Sequence, residues 1–134
     1  MRYTPENITK LGVDEIFVFG SNESGFHGAG AARYAYDYFE ARYGMGFGMM
    51  SHSFALPTKD WEIKTLPLPM ISFYVNRFVA FAKLHPELTF LVTKIGMGLA
   101  GLTLQEVAPL FEQAKNLSNI ILPREFWEVI NQKS

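Results

Sequence analysis

Residues 15–30 read EIFVFGSNESGFHGAG, an apolar stretch followed at once by a loop that contains four glycines. The run Glu15–Phe19 is nearly continuous in apolar residues, which is typical of a strand covered on both faces of a sheet. Behind the loop, apolar residues recur on one helix face and predict a helix of about four turns that ends at Gly44. These residues are Ala32, Ala35, Tyr36, Phe39 and Tyr43. A strand, a glycine-rich loop and a helix in this order predict an α/β unit.

The rest of the chain continues this alternation. Further strands are predicted at Ser53–Pro57, Thr89–Lys94 and Asn119–Leu122, and helices from near Pro69 to before Pro86 and over Arg124–Ile130. A capping box at residues 103–106 starts another helix, which Pro109 should kink or convert to a 3₁₀ turn. We therefore predict an α/β fold, a three-layer α/β/α sandwich with a mixed, largely parallel central sheet, and a single domain over residues 1–134.

Composition excludes several classes of protein. The chain is 49% hydrophobic and 19% charged, so it is not intrinsically disordered. A net charge of −1 argues against duplex nucleic acid as a partner and fits single-stranded nucleic acid badly. Because cysteine is absent, thiol catalysis and disulfides are excluded, and we expect a cytoplasmic protein. Residues 1–6 lack the apolar run of a signal peptide, and no window approaches the ~18 apolar residues of a membrane span, so we expect no membrane partner.

Glycine is concentrated in three places. The clusters are Gly20, Gly25, Gly28 and Gly30; Gly44, Gly46 and Gly48; and Gly96, Gly98 and Gly101. Glycine inside a helix or strand costs about 0.5–1 kcal/mol, so clustering indicates unusual backbone angles or close approach of another group. The first and third clusters each follow a predicted strand and precede a predicted helix. Open α/β sheets bind their ligands at this position.

The two loops together predict a ligand cleft. Helix N-termini present unpaired N–H groups that suit phosphate, so two such loops could hold a diphosphate with almost no cationic side chains. The alternative is that these glycines only make tight turns. Gly96–Gly101 also matches the dinucleotide pattern Gly-x-Gly-x-x-Gly, but it lies late in the chain, and the next strand ends at Ile121-Leu122 without a carboxylate. Nicotinamide chemistry is therefore disfavoured.

These motifs resemble the macrodomain superfamily, whose members are α/β/α modules that bind ADP-ribose. Residues 7–16 are similar to the family's opening segment, Ser24–Ala32 resembles its first glycine-rich loop, and Ile95–Leu102 resembles the second, which wraps the diphosphate. The last segment and the Thr58-Lys59 pair are closest to the terminal ADP-ribose glutamyl hydrolases. The resemblance implies binding of ADP-ribose or a related small nucleotide, either free or attached to an ADP-ribosylated macromolecule.

The resemblance also implies a set of ligand-binding residues. They are Asn7, Ile8, Gly20, Ser21, Asn22, Gly25, His27, Gly28, Ala29, Gly30, Ala31, Thr58, Gly96, Met97, Gly98, Leu99, Ala100 and Gly101. Among them, the Asn22 amide offers a donor and an acceptor to the vicinal hydroxyls of the distal ribose. The alternative for Asn22 is an asparagine that only forms the turn.

The chain departs from hydrolytic relatives at two positions. Ala32 and Ala100 stand where the two hydrolytic subgroups carry an aspartate, and Asn7 stands where most members carry the adenine-contacting aspartate. If the chain is a hydrolase, Lys59 would act as a nucleophile or His27 as an acid or base. The alternatives are an exposed lysine beside its acidic neighbour and a histidine that orders the loop. Hydrolysis of ADP-ribosyl linkages and non-catalytic nucleotide binding thus remain open.

Three further groups of residues are candidates for a functional role. Lys94, at a predicted strand end, would contact phosphate or simply be solvated. The segment Met45–Met50 would be a lid over a base or the edge of a core. His52 and His85 have no partners at ligand spacing, so we expect no metal and no other cofactor.

Overall fold

The computed structural model describes residues 2–132 and has a mixed α/β fold with one five-stranded sheet. The strands are β1 (Glu15–Asn22), β2 (Gly48–Met50), β3 (Ser53–Lys59), β4 (Thr89–Val92) and β5 (Ile120–Ile121). Their order in the sheet is β2-β3-β1-β4-β5, so β1 is the central strand. All neighbouring strands are parallel except β2, which pairs antiparallel with β3. The prediction of a mixed, largely parallel sheet is confirmed.

Helices separate the strands as the sequence predicts. They are α1 (Gly30–Tyr38), α2 (Leu68–Leu84), α3 (Leu104–Val107) and α4 (Arg124–Gln132), and a 3₁₀ helix over Ala108–Ala114 directly continues α3. The capping box is formed between Thr103 and Glu106, and Pro109 lies in the first turn of the 3₁₀ helix, so both of these predictions are confirmed. No helix within residues 2–132 is long and apolar enough to cross a membrane.

The alternating side chains of β1 enter two hydrophobic clusters. Ile16 and Val18 join the larger cluster with α2, α4 and the 3₁₀ helix, whereas Phe17 and Phe19 join the smaller cluster with α1. All four side chains are buried. The nearly continuous apolar run is explained because helices cover this strand on both sides.

Helix α1 is shorter than predicted. It ends at Tyr38 instead of near Gly44, because Glu40 adopts a left-handed conformation with φ +68°. The chain then returns to the carboxyl end of β1, where the Gly44 N–H donates to the Gly25 carbonyl at 3.0 Å and the Ser21 hydroxyl donates to the Gly46 carbonyl. The second glycine cluster therefore packs against the first loop.

Strand β2 was not predicted. It includes Met50, which is buried, and it pairs with β3 at the edge of the sheet. The structure thus places the Met45–Met50 segment at a core edge rather than over a cleft. Strands β1 and β3 also extend beyond their predicted ends. Gly20, Ser21 and Asn22, at the start of the first glycine-rich loop, still pair with β3.

Candidate functional site

Two cavities flank the first turn of α1 at the carboxyl ends of the central strands. The β1–β3 cavity has a volume of about 180 Å³. It is lined by Gly20, Ser21, Asn22, Phe26, Gly28, Ala29, Ala32, Thr58, Lys59, Ile63 and Leu99. The N-terminal cavity has a volume of about 460 Å³. It is lined by Thr4, Pro5, Glu6, Asn7, Ile8, Thr9, Phe17, Gly30, Ala31, Tyr34, Thr93, Lys94 and Pro123.

Among residues 2–132, Lys59 supplies the only titratable side chain that lines the β1–β3 cavity. It is the last residue of β3 and is partly buried. Within residues 2–132 it forms no ion pair. Asp60 instead accepts the N–H groups of Glu62 and Lys64 at 2.8 and 3.0 Å, so its carboxylate orders the following turn. The ammonium group of Lys59 is therefore available to an anion in the cavity.

Glu23 lies next to Lys59 through a backbone contact, and its carboxylate is also engaged. The Glu23 N–H donates to the Lys59 carbonyl at 2.9 Å, whereas the Glu23 carboxylate accepts the hydroxyl of Tyr74. Burial and this hydrogen bond raise the pKa of Tyr74 to about 12. Glu23 therefore does not supply a carboxylate to the cavity.

Asn22 orders the loop with most of its side-chain amide. Its Oδ1 accepts the Ser24 hydroxyl and the Phe26 N–H, each at 2.8 Å, and its Nδ2 donates to the Phe26 carbonyl at 2.8 Å. The geometry matches the turn-forming alternative. One N–H of the amide remains for a ligand, whereas its oxygen already accepts two hydrogen bonds.

His27 is fully buried and lines neither cavity. Its ring packs against Phe19 and Tyr43, with centroid separations of 5.4 and 5.8 Å. Burial lowers the pKa of His27, and the backbone groups of Arg42 and Met45 oppose this shift. Within residues 2–132 neither ring nitrogen of His27 has a hydrogen-bond partner, so the ring is held by packing, and an acid or base role for His27 stays a prediction.

The N-terminus of α1 is free to bind an anion. Its N-cap residue, Ala29, has no side-chain acceptor, and the first turn contains no acidic residue. The N–H groups of this turn lie between the two cavities, because Ala29 lines one and Ala31 the other. Such groups carry a partial positive charge and have no acceptor within the helix.

The second glycine-rich loop does not match the first, although the sequence predicts two equivalent loop–helix units that hold the ligand. At α3, the Thr103 hydroxyl accepts the Glu106 N–H and the Glu106 carboxylate accepts the Thr103 N–H, so side chains already cap this terminus. Of the predicted second-loop residues, only Leu99 lines a cavity. Its side chain lies against the first turn of α1, 3.3 Å from the position of a Cβ on Gly30.

The N-terminal cavity is mostly apolar, with Ile8, Phe17 and Tyr34 in its wall. The Tyr34 hydroxyl donates to the Ile8 carbonyl at 2.6 Å, which fixes the segment before β1. Lys94 is paired with Glu125 at 2.7 Å and with Glu6 at 3.4 Å, and these contacts raise its pKa. Because two carboxylates already neutralise Lys94, a phosphate contact is the weaker of its two alternatives.

The predicted ligand residues therefore divide into two groups. Those that line a cavity are Asn7, Ile8, Gly20, Ser21, Asn22, Gly28, Ala29, Gly30, Ala31, Thr58, Lys59 and Leu99. Those that line neither are Gly25, His27, Gly96, Met97, Gly98, Ala100 and Gly101. Gly25 is structural, since its φ is +72° and a Cβ there would overlap the backbone of Met45.

Sequence reasoning missed much of the wall of the N-terminal cavity, including Glu6, Phe17 and Tyr34, and it missed Phe26 and Ile63 in the β1–β3 cavity. Tyr34 follows Gly30 by four positions, so helical spacing from the loop would have found it. Within residues 2–132, no group of three or more His, Asp or Glu side chains could hold a metal ion.

A comparison with protein-family models finds no match, and neither a curated protein nor a solved structure is significantly similar to this chain.

Proposed function

We propose that this chain binds ADP-ribose, or a closely related nucleoside diphosphate, across the two cavities. One observation carries the proposal: Lys59, which forms no ion pair within residues 2–132, and the uncapped N-terminus of α1 meet at a cavity that no carboxylate of these residues lines. Both groups favour an anion, and the helix terminus suits a phosphate in particular. The cleft lies outside the carboxyl ends of parallel strands, where open α/β sheets place their ligands.

The sizes and linings of the cavities suggest how the ligand lies. The larger N-terminal cavity would take the adenosine, with Ile8, Phe17 and Tyr34 around the base. The diphosphate would accept N–H groups from the first turn of α1. The distal ribose would then enter the β1–β3 cavity beside Asn22 and Lys59. Helices that pack on both faces of the sheet support the macrodomain-like sandwich that this binding mode implies.

Calorimetric titration tests the proposal. ADP-ribose should bind more tightly than ADP, and ADP more tightly than AMP, because each added group reaches a further part of the cleft. Adenosine should bind weakly, since it lacks the phosphates that α1 would hold. Absence of binding heat and of a thermal shift at millimolar ADP-ribose would refute the proposal.

A second candidate function is hydrolysis of ADP-ribosyl linkages through Lys59. Ala32 lines the β1–β3 cavity and no carboxylate does, so a route that depends on a carboxylate base is not supported there. The Lys59 amine could instead attack C1″ of the distal ribose as the bond to the leaving group breaks, which gives a glycosylamine; the C1″–O4″ bond then breaks, the N–H proton passes to O4″, and an imine forms. The leaving group takes up a proton, and water then hydrolyses the imine and regenerates the amine. Without this step, the chain would be a non-catalytic module that recognises ADP-ribose, free or on a macromolecule.

A further inference from the structure

A hairpin extends β3 beyond its carboxyl end. Lys59 and Thr65 pair as an antiparallel bridge, and the Asp60 N–H donates to the Lys64 carbonyl at 2.7 Å. The Ile63 N–H donates to the Asp60 carbonyl at 3.1 Å and closes a β-turn. In a hairpin of this length, the residue that ends the turn takes a left-handed conformation, which favours glycine or asparagine.

Ile63 occupies this left-handed position, with φ +64°. A β-branched residue is a genuine outlier there, because its Cβ substituents crowd the backbone. Two other non-glycine residues within residues 2–132 have positive φ, Glu40 and Ser51. They are exposed and unbranched, and the Ser51 hydroxyl donates to the Glu40 carboxylate at 2.8 Å. At Ile63 the hairpin turn imposes the left-handed conformation, although glycine or asparagine would adopt it with less strain.

The side chain of Ile63 faces the candidate cleft instead of the core. It belongs to neither hydrophobic cluster, is 41% exposed, and lines the β1–β3 cavity. Phe26 and Leu99 line the same cavity and are 57% and 68% exposed. Together these three residues make an apolar rim above the polar groups of Asn22 and Lys59. Strained residues that persist next to a cavity are characteristic of ligand sites.

We propose that Ile63 is a specificity-determining residue that packs on the distal sugar ring of the ligand. This inference rests on the proposed function and adds the class of ligand that the site selects: nucleoside diphosphates that carry a sugar on the second phosphate, over those that end at that phosphate. A furanose ring suits this cavity because its C–H face can contact the apolar rim while its hydroxyls face Asn22 and Lys59.

Paired titrations with ADP-ribose and ADP test the inference. In Ile63→Gly, the affinity for ADP-ribose should fall about tenfold, as expected for loss of an aliphatic contact, and the affinity for ADP should stay within about twofold. The Tm should stay the same or rise by a few degrees, because glycine relieves the left-handed strain. Ile63→Asn should show the same loss of selectivity, because asparagine also tolerates the left-handed conformation. This second variant shows whether the result with Ile63→Gly is specific to glycine.

Ser51→Gly is the matched control, since it relieves a positive φ far from the cleft and should leave both affinities unchanged. Equal losses for ADP and ADP-ribose in Ile63→Gly, or no loss for either, would overturn the inference while leaving nucleotide binding intact. Failure of the unaltered protein to bind both ligands would refute the proposed function itself, and this inference with it.

Discussion

The Thr65 hydroxyl donates a hydrogen bond of 2.8 Å to the backbone carbonyl of Ala100. This contact joins the hairpin that carries Ile63 to the second glycine-rich loop, which carries Leu99. Both side chains line the β1–β3 cavity, so the bond holds two parts of its apolar rim in a fixed relation. The two segments are 35 residues apart in the sequence and meet only through the fold.

Removal of this contact should weaken ligand binding more than it weakens the fold. Thr65→Val keeps the shape of the side chain but removes the donor, so we expect the affinity for ADP-ribose to fall about three- to tenfold, the effect of one hydrogen bond. The Tm should change little, because the bond is exposed. Ser51→Ala removes an exposed hydroxyl donor far from the cleft and should leave the affinity unchanged. Equal affinities of Thr65→Val and the unaltered protein would contradict this role.

The glycines of the first loop should separate into structural and ligand-facing positions. A Cβ on Gly28, which lines the β1–β3 cavity, would meet the Phe26 ring at 2.6 Å, and the φ of Gly28 lies outside the left-handed region. Because Phe26 is exposed, Gly28→Val should change the Tm by only about 2 °C, as surface substitutions do, and lower the affinity for ADP-ribose at least tenfold by filling the cavity and displacing the Phe26 ring. Gly25→Val should instead lower the Tm strongly, because the side chain would overlap the Met45 backbone. Undiminished binding by Gly28→Val would leave the first loop with a role in turn formation alone.

The elements that were predictable from the sequence are those with a local signal. The β1 run, the spacing of apolar residues in α2 and the Thr103 capping box are each readable within a few residues, and each forms as predicted. The return of Gly46 to the end of β1 was not predictable, because it depends on contact between segments more than 20 residues apart. The same holds for Ile63, whose conformation is imposed by a turn and whose environment is set by distant loops.

Acid should destabilise the protein through His27. Burial holds the folded pKa of His27 below its unfolded value of about 6.5, so the unfolded chain binds a proton first as the pH falls. The stability contributed by neutral His27 is therefore present above about pH 6.5 and is lost as the pH falls toward the folded pKa. In Tm measurements between pH 5 and 7, the slope should be shallower in His27→Phe than in the unaltered protein.

Tyr43→Phe is the control for this slope, because the Tyr43 ring packs against His27 and the variant keeps the imidazole, so it should leave the slope unchanged. An identical slope in His27→Phe and the unaltered protein would show that His27 is not the group that titrates. Loss of turnover in His27→Phe, with the affinity for ADP-ribose retained, would assign His27 an acid or base role in addition.

Two variants of Lys59 should show that ligand binding and imine formation depend on different properties of this side chain. In the proposed complex its ammonium group lies beside the distal ribose and contributes a positive charge, so Lys59→Ala should lower the affinity for ADP-ribose about tenfold, within the range of a hydrogen bond to a charged group. Lys59→Arg retains the charge and should keep most of this affinity, but a guanidinium does not form an imine with an opened ribose. The neighbouring hairpin lysine gives the control variant Lys64→Ala, which should behave as the unaltered protein does.

The chemistry is measured by borohydride trapping. In the presence of ADP-ribose, the Lys59 amine would add to the aldehyde of the ring-opened distal ribose with loss of water, and borohydride would reduce the imine to a stable secondary amine. Mass spectrometry should find this adduct on Lys59 in the unaltered protein and in Lys64→Ala, and not in Lys59→Arg. An adduct that persists in Lys59→Arg would place the nucleophile elsewhere. Tight binding without any adduct, and without release of ADP-ribose from modified substrates, would leave a non-catalytic module, because the cavity offers no other titratable side chain to carry the reaction.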